Sequence, residues 1–403
     1  MTGRRAVIAD RIDRALIGSL RSTGPGTLAE LMNRTGWSRP LVTAHLESLL
    51  SAGTVGVIDD QRSTGGRPAR RYSLSEARRV VVGIEIDGAR ARVTIGDLGG
   101  RMLTDSETLG PHSRGLEQFV TILPAAVDTL LSAVRRTKVD VGAVGVGVHG
   151  HGIDRGSIER RVADVLGTTV LVDRAVNLAA LEYRRGFGRL ADDLIVVDVG
   201  EHIASAALSG GRPLRRAGGL AGDIAHMKST GGTEPCCCGA AGCIESVASG
   251  AAVLRHLRRS GATVSSFDDL VRLERRGDLD TIRAVKQAGR EIGDVLVTGI
   301  RLLNPSMVLL QGALVRTGGY LINGVGESLS STSGRQASGV LLLVSDDSGR
   351  DAVLGGAVAL AVDHVLSLES ADATAAQPGR GGSFGRGREV ERPGSVDFEL
   401  DGS

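Results

Sequence analysis

A strand, a turn and a second strand occur twice in this 403-residue chain, and that repetition limits the possible folds more than any other feature. Val80 to Ile86 is a strand of the fully buried kind, followed by a second strand over Ala91 to Gly96 and the turn Asp97-Leu98-Gly99-Gly100. Asp193 to Gly200 repeats the pattern, leading into Ile203 to Leu208 and the turn Ser209-Gly210-Gly211. Further strands are expected at Val141 to Val148, Thr169 to Val172 and Met307 to Gln311. Helical periodicity marks Leu116 to Arg136, Ala175 to Tyr183 and Asp280 to Leu303. Strands alternating with helices define an α/β body, and an internal duplication gives it two related lobes with a cleft between them.

Ahead of that body, residues 1–76 read as three helices and a hairpin. Ile8, Ile12, Leu16 and Leu20 lie on one face of the first helix, and Thr27 caps a short second helix carrying Leu28, Leu31 and Met32. Thr35-Gly36-Trp37 makes a turn before Ser38 caps a third helix, in which Val42, Leu46, Leu49 and Leu50 face inward. Arg39, Pro40, Thr43, Ala44 and Glu47 then face solvent. This is the spacing of a mainly α winged helix-turn-helix, whose recognition helix offers its first residues to the major groove. Ser38, Arg39 and Thr43 are therefore the candidate DNA contacts on that helix. Strands at Thr54 to Ile58 and Arg70 to Leu74 enclose a loop that would be the wing. Gly65 and Gly66 let its backbone approach a duplex, and Arg62, Arg67, Arg70 and Arg71 supply charge for phosphates or a minor groove.

Charge distribution agrees with that assignment. The chain's net charge is only +2, but residues 1–80 hold thirteen Arg against seven acidic residues, so the positive charge is concentrated at one end. A basic module gains counterion-release energy on a phosphate backbone, which points to double-stranded DNA as the partner. No apolar run approaches the roughly 20 residues of a membrane span, and Met1 to Asp10 has no signal-peptide character, so no membrane role and a cytoplasmic location are expected.

All four cysteines fall within Cys236-Cys237-Cys238-Gly239-Ala240-Ala241-Gly242-Cys243, ten residues after His226. A Cys-x-Cys pair, a third cysteine five residues on and a histidine make a tetrahedral thiolate–imidazole set for Zn²⁺, a closed and hence structural site. The rival readings are a disulfide pair, disfavoured in a reducing compartment, and reduced unliganded thiols, disfavoured by the clustering. Spacing alone does not say which two of the three consecutive cysteines bind.

The Gly65-Gly66-Arg67-Pro68 wing, the duplicated body and the His226 plus Cys-x-Cys-Gly-x-x-Gly-Cys-x-Glu loop together resemble the ROK family of repressors and sugar kinases, over roughly residues 8–366. The resemblance implies an actin-like ATPase (ribonuclease H-like) two-lobed body over residues 77–366. It further implies a homodimer or dimer of dimers, and DNA binding modulated by a sugar or sugar phosphate in the cleft. It matches the metal ligands to His226, Cys236, Cys238 and Cys243, with the zinc loop at about 226–245. By the same resemblance Asn177, Asp223, His226 and Glu245 line the effector pocket.

Departures from the family pattern bear on function. The family's kinases place a catalytic Asp in an Asn-Asp-x-Asn segment; here the stretch is Arg174-Ala175-Val176-Asn177, and Ala175 accepts no proton. Glu85-Ile86-Asp87-Gly88-Ala89 and Gly200-Glu201-His202-Ile203-Ala204 add carboxylates where the family's turns face ATP phosphates. The family's Pro-Gly-Pro turn becomes His149-Gly150-His151, and the stretch from Asp154 to Thr169 is shorter than its counterpart. The expectation is a DNA-binding transcriptional regulator, a repressor, that is not an enzyme; the alternative is an active sugar kinase with a DNA-binding appendage. Residues 367–403, rich in Gly, Arg and Ser, are expected to be a disordered tail.

Overall fold

The computed structural model describes residues 2–51, 53–58, 70–74, 79–88, 90–110, 116–150, 153–214, 222–315, 319–333, 340–344 and 351–375. The chain begins with α1 (Thr2–Thr23), β1 (Gly26–Thr27), α2 (Leu28–Thr35), α3 (Arg39–Ser51), β2 (Val55–Ile58) and β3 (Arg71–Leu74). Thr27 caps α2 reciprocally: its hydroxyl accepts the Glu30 N–H at 3.3 Å, and the Glu30 carboxylate accepts the Thr27 N–H at 2.9 Å. Gly36 ends α2 in the left-handed region at φ 72°, where a side chain would be strained, and so frees α3 to start in a new direction. The strands form an antiparallel sheet in the order β1-β3-β2.

The body contains two five-stranded sheets of one design. The first takes β4 (Val80–Asp87), β5 (Arg90–Asp97), β6 (Glu107–Leu109), β7 (Val141–Val148) and β8 (Val170–Arg174) in the order β6-β5-β4-β7-β8. α4 (Leu116–Ala133) and α5 (Arg155–Leu166) connect its strands, and α6 (Ala175–Phe187) leaves it. The second takes β9 (Leu194–Val199), β10 (Ile203–Ser209), β11 (Arg212–Pro213), β12 (Met307–Gln311) and β13 (Leu341–Val344) in the order β11-β10-β9-β12-β13. In each, the leading strand pairs antiparallel with its hairpin partner and parallel with the next, so the duplication expected from the sequence is real. Around the second sheet stand α7 (Ile244–Ala248), α8 (Gly250–Arg259), α9 (Phe267–Arg275), α10 (Leu279–Leu303) and α11 (Tyr320–Ser333).

The last helix, α12 (Ala352–Ala375), returns to the first lobe and runs nine residues past the expected boundary at Leu366; residues 376–403 lie outside the described residues. Glycines in the strands make room for it. A Cβ on Gly145 would lie 2.0 Å from the carbonyl oxygen of Ala357, and one on Gly147 2.6 Å from Val353. At its crossing with α6, a Cβ on Gly356 would lie 2.0 Å from the carbonyl oxygen of Leu178. α12 also contributes Val358, Val362 and Val365 to a core that holds Ile12, Leu16, Val42 and Leu46, so the N-terminal helices and the body are welded by one buried cluster. Burial of this size contributes on the order of 1.5–3 kcal/mol per large aliphatic side chain.

One described helix, Leu116–Ala133, is long and apolar enough by composition to span a bilayer, contrary to the expectation that none would be. Its apolar face is spent in the first lobe, where Phe119, Leu123, Val127 and Leu131 are buried against the sheet.

Candidate functional site

The exposed face of α3 follows its sequence pattern. Val42, Leu46 and Leu49 are buried, while Ser38, Arg39, Pro40, Ala44 and Glu47 are exposed and Thr43 is half-buried. Leu50, expected inside, is only half-buried, and the buried position belongs to His45, whose Nδ1 lies 2.8 Å from the Asp13 carboxylate on α1. Both side chains are almost inaccessible, so this pair fixes α3 against α1. The hairpin strands pair antiparallel with Ile58 opposite Arg71. Arg70 beside it is exposed, whereas Arg62, Gly65, Gly66 and Arg67 lie outside the described residues. Arg71, also expected to supply charge there, is half-buried: its guanidinium donates to the Pro25 carbonyl at 2.9 Å and sits 3.9 Å from Glu30.

The cysteine loop folds into a compact cup. Gly239 and Gly242 take φ of 86° and 72°, and a Cβ on Gly242 would strike the Gly232 carbonyl at 2.0 Å. Short bridges Lys228–Cys243 and Pro235–Ala241 close it. The ligand atoms of His226, Cys236, Cys238 and Cys243 all lie within 4.8 Å of one another, while Cys237 is exposed. Cys238 Sγ is 3.7 Å from Cys243 Sγ, and Cys236 Sγ is 3.5 Å from His226 Nδ1. Zinc–sulfur bonds of about 2.3 Å at tetrahedral angles separate two sulfurs by roughly 3.8 Å, so the donors fit such an ion. Burial pushes the Cys243 thiol up to about 12 without a cation, whereas the Ala240 backbone N–H pulls Cys238 below its usual range. A divalent cation is what would let both ionise together.

Each of the remaining candidate effector residues has an internal partner. Asn177 donates to Asp173 at 2.8 Å, and the same Asp173 oxygen accepts the Arg174 N–H at 2.8 Å. Asp223 is held at 2.7 Å by the Arg174 guanidinium, which also donates to the Ser205 carbonyl. Glu245 accepts the Ile203 N–H and pairs with His202 Nδ1, both at 2.7 Å. Ala175, the first residue of α6, is buried and bears no proton acceptor. Arg174 and His202 are the residues sequence reasoning missed in these roles.

At the ends of the first-lobe strands, Glu85 accepts from Arg92 at 3.1 Å and pairs with His149 Nε2 at 2.9 Å. Arg92 further binds Ser106 and Asp351. Burial opposes a charge on His149, but the Glu85 hydrogen bond and the charges of Glu85, Asp198 and Asp87 outweigh it and raise the pKa above its ordinary value. In the second lobe Gln311 donates to Asp198 at 2.6 Å and accepts from Tyr183 at 2.8 Å. His151 lies outside the described residues.

Two lobes of duplicated topology with this cysteine cup match the ROK family over residues 81–364, and the chain belongs to that family. The xylose repressor of Bacillus subtilis (strain 168) is 22% identical over 370 residues, covering 88% of this chain and 96% of that protein. The DNA-binding transcriptional dual regulator NagC of Escherichia coli (strain K12) is 24% identical over 338 residues, covering 78% and 83%. The crystal structure of a ROK family transcriptional regulator, a homologue of the E. coli MLC protein, superimposes with a TM-score of 0.75 at 17% identity, over 91% of this chain and all of that one. Glucokinases are also among the relatives.

Proposed function

We propose that the chain is a cytoplasmic DNA-binding transcriptional regulator, a repressor, in which residues 1–76 act as a winged helix-turn-helix. Residues 77–366, with the remainder of α12 to Ala375, serve as dimerisation scaffold and effector sensor, without kinase activity. The observation that carries this reading is α3. One of its faces is locked into the core shared with α12, while Ser38, Arg39, Pro40, Ala44 and Glu47 stand clear on the other. In use, Ser38, Arg39 and Thr43 meet the major groove, and Arg62, Gly65, Gly66, Arg67 and Arg70 form a basic wing on the phosphates or minor groove. Similarity to two transcriptional regulators, over 88% and 78% of this chain, supports it. His226, Cys236, Cys238 and Cys243 hold one structural Zn²⁺ that shapes the loop leading into α7. The active form is a homodimer or dimer of dimers, since a two-fold protein matches a palindromic operator.

The kinase reading is the rival, because glucokinases are relatives. Phosphoryl transfer needs a titratable group within hydrogen-bond reach of the sugar hydroxyl. Ala175 offers none, and Asp173 is already engaged by Arg174 and Asn177. Genomic footprinting tests the regulator reading by naming the fragments bound. Turnover of ATP with glucose would favour the kinase.

A further inference from the structure

The outward stripe of α3 has a chemistry of its own. Val42, His45, Leu46 and Leu49 are its buried residues, so at about 100° per residue the opposite side of the helix runs through Pro40, Ala44, Glu47 and Ser51, all exposed. Leu41 flanks that stripe and is 41% exposed, although a leucine gains by leaving water. Side-chain hydrogen-bond donors are scarce here. Pro40, Leu41 and Ala44 have no polar side-chain atom, Glu47 only accepts when ionised, and Ser51 donates its hydroxyl to the Glu47 carbonyl at 2.9 Å. Two arginines of the same module are already engaged, Arg34 with the Gly24 carbonyl and Arg71 with the Pro25 carbonyl.

The chemistry of the major groove decides what such a stripe can read. Guanine is read by paired donors of Arg or Lys and adenine by the amide of Asn or Gln, and the stripe holds none of these. Thymine instead offers its C5-methyl group, whose partner is an apolar side chain. Glu47 narrows the placement further. Its carboxylate is repelled by phosphates, so the stripe faces base edges and not the backbone. The module as a whole still suits a polyanion, since residues 1–80 hold thirteen Arg against seven acidic residues.

We infer that α3 selects its operator by the C5-methyl groups of thymines, which pack against Pro40, Leu41 and Ala44. The inference rests on the regulator reading and adds to it the feature of the duplex that is read. Burial of one methyl group corresponds to about a fourfold change in affinity.

The test uses the full-length protein and a duplex that it selects from a random-sequence pool. Each thymine of that duplex is replaced in turn by deoxyuridine, which keeps the base pair and removes only the methyl group, and binding is followed by fluorescence anisotropy. At two or more positions the replacement should weaken binding about fourfold. Leu41→Ala should bind the thymine duplex more weakly, should no longer distinguish thymine from uracil at one of those positions, and should keep the oligomeric state of the wild type in sedimentation velocity. If Leu41→Ala does not fold, Leu41→Gln keeps the bulk and takes its place. The assignment is overturned if no uracil weakens binding. It is overturned too if the folded variant discriminates at every position as the wild type does, because the loss then comes from duplex shape. A changed oligomeric state overturns it as well, because the face then meets a second copy of the chain. A protein that selects a duplex but ignores its methyl groups loses this assignment alone; one that selects no duplex loses the regulator reading with it.

Discussion

His45 Nδ1 lies 2.8 Å from the Asp13 carboxylate, and the two side chains sit buried between α3 and α1 with 9% and 3% of their surfaces exposed. The exposed face of α3 is therefore held in place by a polar pair inside an otherwise aliphatic cluster. Asp13→Ala should leave the imidazole without its acceptor and cost about 1–3 kcal/mol of stability. Chemical denaturation of the two proteins measures this directly. A variant as stable as the wild type would mean that the pair contributes nothing to fixing α3.

Arg39 is exposed at the start of α3. If it meets a phosphate, Arg39→Ala should weaken binding to all sequences alike and lower the dependence of log K on log salt by about one; if it meets a base, the loss should be about 1–3 kcal/mol and confined to one position of the operator. Fluorescence anisotropy over a salt series distinguishes the two. An unchanged affinity in every arm removes Arg39 from the interface.

Metal analysis tests the cysteine cup. Purified protein should carry about one zinc per chain. Cys238→Ser should lose it and melt at lower temperature, because the binding energy of a structural ion is folding energy. Cys237→Ser should retain full stoichiometry, since Cys237 lies outside the group of four whose ligand atoms converge. Loss of zinc in Cys237→Ser with retention in Cys238→Ser would reverse the ligand assignment.

The pH dependence of stability has a sign fixed by His149. Its native pKa is raised above the unfolded value, because the Glu85 hydrogen bond and the nearby charges of Asp198 and Asp87 overcome its burial. Such a group contributes stability that is complete below the unfolded value of about 6.5 and lost as pH rises through the native value. His149→Gln should therefore flatten the fall in unfolding free energy that sets in above a pH of about 6.5. An identical slope in both proteins would contradict the assignment.

Much of the architecture was legible because its signals are local. The strands Val141–Val148 and Met307–Gln311 have the bounds their apolar runs predict, and Thr27 caps α2 as its position requires. The cysteine set was legible because four rare ligands fall close together. What escaped was non-local. Arg174 and Asp223 are 49 residues apart, and nothing in either neighbourhood announces the pair. Asp13 and His45 each interrupt an apolar stripe, which reads as a solvated position until the two helices are docked. Most of α12 from Ala352 to Leu366 is buried, with Asp363 exposed, so its amphipathic period is faint; its partners are glycine gaps in distant strands. Ser249 and Ser266 do cap α8 and α9, a local signal that was present and unread.

The most direct measurement is a gel-shift titration of the full-length protein against genomic fragments at physiological salt, with bulk DNA as competitor. The account predicts that a small set of fragments stays bound when non-specific DNA is in large excess. If every fragment is competed away equally, the exposed face of α3 reads no sequence and the regulator assignment is wrong.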